Sequence, residues 1–121
     1  MPHITILSSS VRRERKSHRV ALYFQNYLQE NNLARSEILD LKEYNFPIFE
    51  DTIKTLQNPS AKVLDFAKKI NKAEGIIIVT PEYNGSFPAS LKNAIDLLYY
   101  EWHGKPIYFS TVSSGILEAH K

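Results

Sequence analysis

An α/β domain, a three-layer sandwich built on a parallel sheet, is the fold class this sequence predicts. Four short apolar runs, at residues 3–8, 37–41, 75–80 and 106–112, are separated by longer amphipathic segments. The run Gly75-Ile76-Ile77-Ile78-Val79-Thr80 shows no polar alternation, as expected of a strand covered on both faces. Strands joined by helical crossovers pair in parallel, with helices packed on the sheet faces. At 121 residues and without cysteine, the chain suffices for one domain whose core needs no disulfide or metal staple.

The elements follow in the order β-α-β-α-β-α-β. Residues 3–8 hold the β-branched run Ile4-Thr5-Ile6-Leu7 and read as the first strand. Val20, Phe24, Tyr27 and Leu28 recur at helical spacing, with Gln25, Asn26, Gln29 and Glu30 opposite them. After the second strand, residues 42–57 make a long connection carrying Tyr44, Phe46, Pro47, Ile48 and Phe49. Loops of that length are usually functional or disordered, and the aromatics argue against disorder. Asn58-Pro59 supplies a candidate cap and first turn for a helix striped by Val63, Leu64, Ala67 and Ile70. A third helix starts near Pro88 and aligns Leu91, Ala94, Ile95 and Leu98. No repeat, charge block or Gly/Ser linker interrupts the chain, so residues 1–121 are expected to form a single domain.

Composition narrows the function. Zero cysteine excludes disulfide frameworks, thiol catalysis, Fe–S clusters and Cys-ligated zinc. A net charge of +2, with the basic residues outside the first loop scattered, gives no nucleic-acid footprint. The apolar runs are too short for a membrane span. Residues 1–19 are rich in Arg and Ser, which superficially resembles a transit peptide. The strand-like Ile4–Leu7 run and the absence of a small-residue cleavage signal favour the first strand of the domain.

Open parallel sheets bind ligands beyond the carboxyl ends of their strands, which selects the loops at 8–17, 80–88 and 111–115. The first reads Ser8-Ser9-Ser10-Val11-Arg12-Arg13-Glu14-Arg15-Lys16-Ser17. Hydroxyls and guanidinium groups at the start of a helix suit a phosphate monoester dianion. The loop has neither the Gly-Lys-Ser/Thr of a nucleotide P-loop nor a GxGxxG fingerprint. The second, Thr80-Pro81-Glu82-Tyr83-Asn84-Gly85-Ser86-Phe87-Pro88, is stiffened by proline at either end. Its exposed amides can read the polar edge of a planar heterocycle. The four His share no metal-ligand spacing, and no metal is expected.

The segment PEYNGSFPASLKNAIDLL closely resembles the signature of the NADPH-dependent FMN reductase family, flavodoxin-like flavoproteins that include quinone, azo-dye and chromate reductases. The first loop is similar to that family's phosphate loop, with Ser10 on the family Ser, Arg12 on its Arg and Ser17 on the later Ser; Ser9 replaces the usual Gly. EYNFPIFED resembles the variable loop after the second strand. By this resemblance Ser10, Arg12 and Ser17, with help from His18, hold the FMN phosphate. Pro81, Glu82, Tyr83, Asn84 and Ser86 line the isoalloxazine, chiefly through amides and the Asn84 side chain, while Ser113, Ser114 and Gly115 close the site.

The implied reaction carries hydride from NADPH or NADH through FMN to a quinone, azo, flavin or metal-oxyanion acceptor. No catalytic side chain is required, because the cofactor does the chemistry. A binding module that retains FMN or a phosphate ligand without effective turnover is the alternative. The resemblance further implies a cytoplasmic homodimer or higher homo-oligomer, and the aromatics Tyr99, Tyr100 and Trp102 are expected at a helix end or subunit interface. Flavodoxin-like sheets have strand order 2-1-3-4-5. The sequence supplies strands for 2-1-3-4, so the domain is expected to be short at its C-terminus, with one edge of 106–112 unpaired.

Overall fold

The computed structural model describes residues 1–13 and 15–112. Strand β1 (His3–Ser8) is followed by helix α1 (Lys16–Glu30), strand β2 (Arg35–Asp40) and a one-turn helix α2 (Leu41–Tyr44). Helix α3 (Ala61–Lys72), strand β3 (Gly75–Pro81), helix α4 (Ala89–Leu97), a 3-10 turn at Tyr100–Trp102 and strand β4 (Ile107–Val112) complete the order. The sheet is entirely parallel and runs β2-β1-β3-β4, as the sequence predicts.

Alternation along the strands divides the core in two. Leu7, Leu39, Ile76 and Ile78 face α3 and α4, where they pack with Val63, Phe66, Ile70, Leu91 and Leu97. Ile6 and Val79 point the other way, towards Ala21, Val20, Phe24 and Leu28 of α1. The buried set on α3 is Val63, Phe66, Ala67 and Ile70, whereas Leu64 lies half exposed. On α1 the expected stripe loses Tyr27, which is exposed and stacks on Tyr23.

Three local details differ from the sequence expectation. β2 starts at Arg35 and ends at Asp40, since an edge strand tolerates polar residues at its open side. The cap of α3 is Ser60, whose hydroxyl accepts the Val63 N–H at 3.2 Å, leaving Asn58 in the left-handed region before it. The long connection is ordered by its aromatics: Phe46 packs on Tyr44, Phe49 and Phe66. Trp102 belongs to the same cluster, edge-on to Phe66, and its indole N–H donates to the Ile95 carbonyl at 3.1 Å. Tyr99 and Tyr100 remain exposed.

Strand β4 pairs with β3 on one side and, among the described residues, with nothing on the other. Ile107, Tyr108 and Phe109 are all exposed there.

Candidate functional site

The carboxyl ends of β1 and β3 lie side by side, because Ser8 is paired with Val79. The chain leaves β1 for α1 on one face and β3 for α4 on the other, which makes this the switch point where open parallel sheets bind ligands. Ser9 stitches the two strand ends together: its N–H and its hydroxyl both donate to the Val79 carbonyl, at 3.1 and 3.0 Å. The Ser90 hydroxyl of α4 donates to the Ser9 carbonyl at 2.7 Å. The residue at the usual glycine position is thus a buried, fully engaged serine.

Beyond this anchor, Ser10 and Arg12 meet the second loop through Tyr83. The Ser10 hydroxyl lies 3.1 Å from the Tyr83 hydroxyl, and the Arg12 guanidinium sits 3.6 Å above the Tyr83 ring. The Arg12 N–H reaches the Ser10 hydroxyl at 3.4 Å. Neither loop pattern signalled these contacts, since 73 positions separate Ser10 from Tyr83.

Helix α1 begins here without a side-chain cap and without an acid in its first turn; the His18 N–H is engaged by the Arg15 carbonyl at 3.2 Å, and the positive dipole end suits an anion. Ser17, in that first turn, is 2% exposed, and among the described residues its hydroxyl has no hydrogen-bond partner. Thr5 and Ser36 also have buried unpaired hydroxyls, but they sit within strands, away from the carboxyl edge. An anion with several acceptor oxygens resolves the Ser17 deficit and the open helix end together. The residues present fit a phosphate ester.

His18 is placed differently from Ser17. Its Nδ1 lies 2.8 Å from the Ser8 hydroxyl and 3.9 Å from Asp40 Oδ2. Asp40 in turn holds the guanidinium of Arg15. Sequence reasoning counted Arg15 only among the basic residues of the first loop and gave Asp40 no role.

The second loop is a tight hairpin. Tyr83 and Ser86 exchange backbone hydrogen bonds of 2.9 and 3.0 Å, and Asn84 and Gly85 between them both have positive φ, 52° and 75°. Asn-Gly with two positive φ values is the type I′ solution for a two-residue connection. The Glu82 N–H donates to the Val112 carbonyl at 3.2 Å. The amides of Glu82, Tyr83 and Ser86 are therefore engaged inside the fold, and those at the exposed tip belong to Asn84 and Gly85. Pro81 closes β3 and is half-buried. Ser113, Ser114 and Gly115 lie outside the described residues.

A sequence model of the NADPH-dependent FMN reductases matches residues 2–121. The chain belongs to this family. The NAD(P)H-dependent FMN reductase of Saccharomyces cerevisiae is 33% identical over 116 residues, which cover 85% of this chain and 61% of that protein. The quinone reductase of Escherichia coli is 38% identical over 77 residues, 60% of this chain and 41% of that one. Among solved structures, a flavoenzyme NAD(P)H:(acceptor) oxidoreductase from Paracoccus denitrificans aligns with a TM-score of 0.78 at 25% identity, covering 98% of this chain and 65% of that chain. An NADH:FMN oxidoreductase in its apo form shares the fold, with a TM-score of 0.79 at 19% identity over 98% of this chain and 62% of that chain. The chain spans between 55% and 61% of the length of the first curated FMN reductase relatives.

For an FMN reductase family member the cavities are instructive. A cavity of about 790 Å³ lies between residues 48–55 and α4, lined by Phe49, Asp51, Lys92 and Asn93 among others. A smaller one of about 100 Å³ is bounded by Val11, Phe46, Ser90 and Asn93 and touches the first loop. Asn93 is common to both and is fixed by the 45–57 segment: its side chain accepts the Phe49 N–H at 3.0 Å and donates to the Pro47 carbonyl at 2.9 Å.

Proposed function

We propose that this chain forms the FMN-binding part of an NAD(P)H oxidoreductase. The observation that carries the reading is the buried Ser17 hydroxyl in the uncapped first turn of α1, which has no hydrogen-bond partner among the described residues. Ser17 would donate to a phosphate oxygen while the first amides of α1 meet the others. Arg12 would supply the cation from the rim. The tip amides of the Asn84-Gly85 turn would face the polar edge of the flavin ring, with Tyr83 setting the position of that turn.

When bound, FMN would accept hydride from NADPH or NADH and deliver it to a quinone, azo, flavin or metal-oxyanion acceptor. The protein's own part is to bind and orient the cofactor, and no side chain need act as nucleophile or general base. Family membership supports this reading, as do the relatives named FMN reductase and quinone reductase. In the same reading the protein works in the cytoplasm as a homodimer or larger homo-oligomer, for which exposed Ile48, Tyr99 and Tyr100 offer apolar surface.

Flavin absorbance of the purified protein, followed by NADPH and NADH oxidation with a quinone, tests the proposal. Bound FMN with oxidation is the expected result. Flavin uptake without oxidation would leave a binding module in place of an enzyme, and failure to take up added FMN would remove both readings. Sedimentation gives the oligomeric state.

A further inference from the structure

Asp40 has no role in the phosphate site as described so far, yet it touches that site's supports from three directions. Its carboxyl side chain is 7% exposed, at the carboxyl end of β2. Oδ1 accepts from the guanidinium of Arg15, the residue immediately before α1, and from the Lys42 N–H at 3.0 Å. Oδ2 lies 3.9 Å from His18 Nδ1, which itself meets the Ser8 hydroxyl at 2.8 Å. We propose that Asp40 is a positioning residue for the cofactor phosphate, clamping Arg15 so that the open end of α1 and the Ser17 hydroxyl are held in register with Ser10.

The geometry gives the first loop two anchors. Ser9 fixes its beginning to β3 and α4 through the Val79 carbonyl and the Ser90 hydroxyl. The Arg15–Asp40 pair fixes its end to β2. Residues 10–14 run between these two points. The first turn of α1, with Ser17, begins directly after the second anchor.

Charge makes the pair more than a brace. A carboxylate this buried, beside a site for a dianion, would repel the ligand if left unpaired, and Arg15 cancels it. Without Asp40, Arg15 loses its carboxylate partner, and the start of α1 keeps the His18–Ser8 contact but loses its tie to β2. Paired, the two contribute geometry with little net field, which leaves the phosphate to Arg12, Ser17 and the helix amides.

This inference rests on the FMN reading, and the experiment separates the two. FMN and riboflavin, which differ by the phosphate alone, are titrated into the full chain as wild type, Asp40→Asn, Arg15→Gln, Arg15→Lys and the Asp40→Asn/Arg15→Gln double variant. Asn at position 40 can still accept the Lys42 N–H, so α2 keeps its cap. Each single neutralisation should weaken FMN about tenfold or more and riboflavin less than about threefold, as expected when a positioned group shifts by a fraction of an ångström. The double variant should be no worse than the weaker single, because both break one pair. Arg15→Lys should recover most of the FMN-over-riboflavin preference.

Equal weakening of both flavins, or no change in either, would overturn the positioning role. Additive losses in the double variant would do the same. Should Asp40→Asn fail to fold by circular dichroism, the Arg15 variants decide the matter alone. If wild type binds FMN and the preference survives neutralisation, only the Asp40 proposal falls. If wild type binds no FMN, both the FMN reading and this inference fall.

Discussion

Replacing Arg12 with alanine tests the proposed phosphate loop directly, and the expected size of the effect follows from two opposing contacts. A charged hydrogen-bonding group on a phosphate contributes about 1.5–3 kcal/mol. Arg12 is exposed and already rests on the Tyr83 ring at 3.6 Å, a cation–π contact worth about 0.5–1 kcal/mol at such a site. If the guanidinium must leave that ring to meet the phosphate, the net loss on substitution is about 1–2 kcal/mol, or about 5- to 30-fold in Kd. Quenching of FMN fluorescence on titration measures it, with riboflavin as the phosphate-free control. Riboflavin affinity should stay within about twofold, since no phosphate contact is lost. An FMN Kd unchanged in Arg12→Ala, or a matching loss for riboflavin, would refute the assignment of this loop to the phosphate.

Phe66→Ala should destabilise the fold by about 3–5 kcal/mol in urea unfolding, because Phe66 is fully buried where Tyr44, Phe46 and Trp102 converge on it. Gly85→Ala forces a Cβ onto a residue at φ 75° and should cost about 1–2 kcal/mol, seen as a lower Tm; a Tm equal to wild type would mean the turn is not type I′. The Tyr44 hydroxyl, and after it Lys69, hold the Asp65 carboxyl below its ordinary value of 3.8. That contribution is complete above the unfolded value and fades as pH falls through the folded one. The stability gap between wild type and Asp65→Asn should therefore shrink below about pH 4, and a gap constant from pH 7 to pH 3 would contradict the pairing. Lys105→Met removes the ammonium that donates to the Ile70, Asn71 and Glu101 carbonyls at 2.7–2.8 Å. It should lower stability by about 1–3 kcal/mol, since the charged hydrogen bonds that tie the end of α3 to the Glu101 carbonyl are lost.

The central strands were legible because burial on both faces leaves no room for polar alternation, as in Gly75–Pro81. The edges were less so. Arg35 and Ser36 begin β2 in register with His3 and Ile4, a pairing that backbone hydrogen bonds supply whatever the side chains are. α2 is a single turn capped by Asp40, too short for any period to declare itself. On α3 both Leu64 and Phe66 extend a helical stripe from Val63, and only the sheet behind it chooses Phe66. In the site, the loop positions were readable from local residue types. The Arg12–Tyr83 stack and the Arg15–Asp40 pair were not, because contacts across 71 and 25 positions leave no spacing signal.

Topology explains why the two informative loops cooperate. With β1 and β3 as central neighbours, the crossover to α1 and the turn into α4 depart to opposite faces, and open parallel sheets bind ligands at such a switch point. The hairpin at Asn84-Gly85 and the first loop, tied to β3 through Ser9 and to β2 through Arg15, flank that point. Ser10 and Arg12 both contact Tyr83, so this one side chain joins the first loop to the turn at residues 83–86. Tyr83→Phe keeps the ring and loses only the hydroxyl contact with Ser10, which makes the energy carried by that link separable from the stacking beneath Arg12.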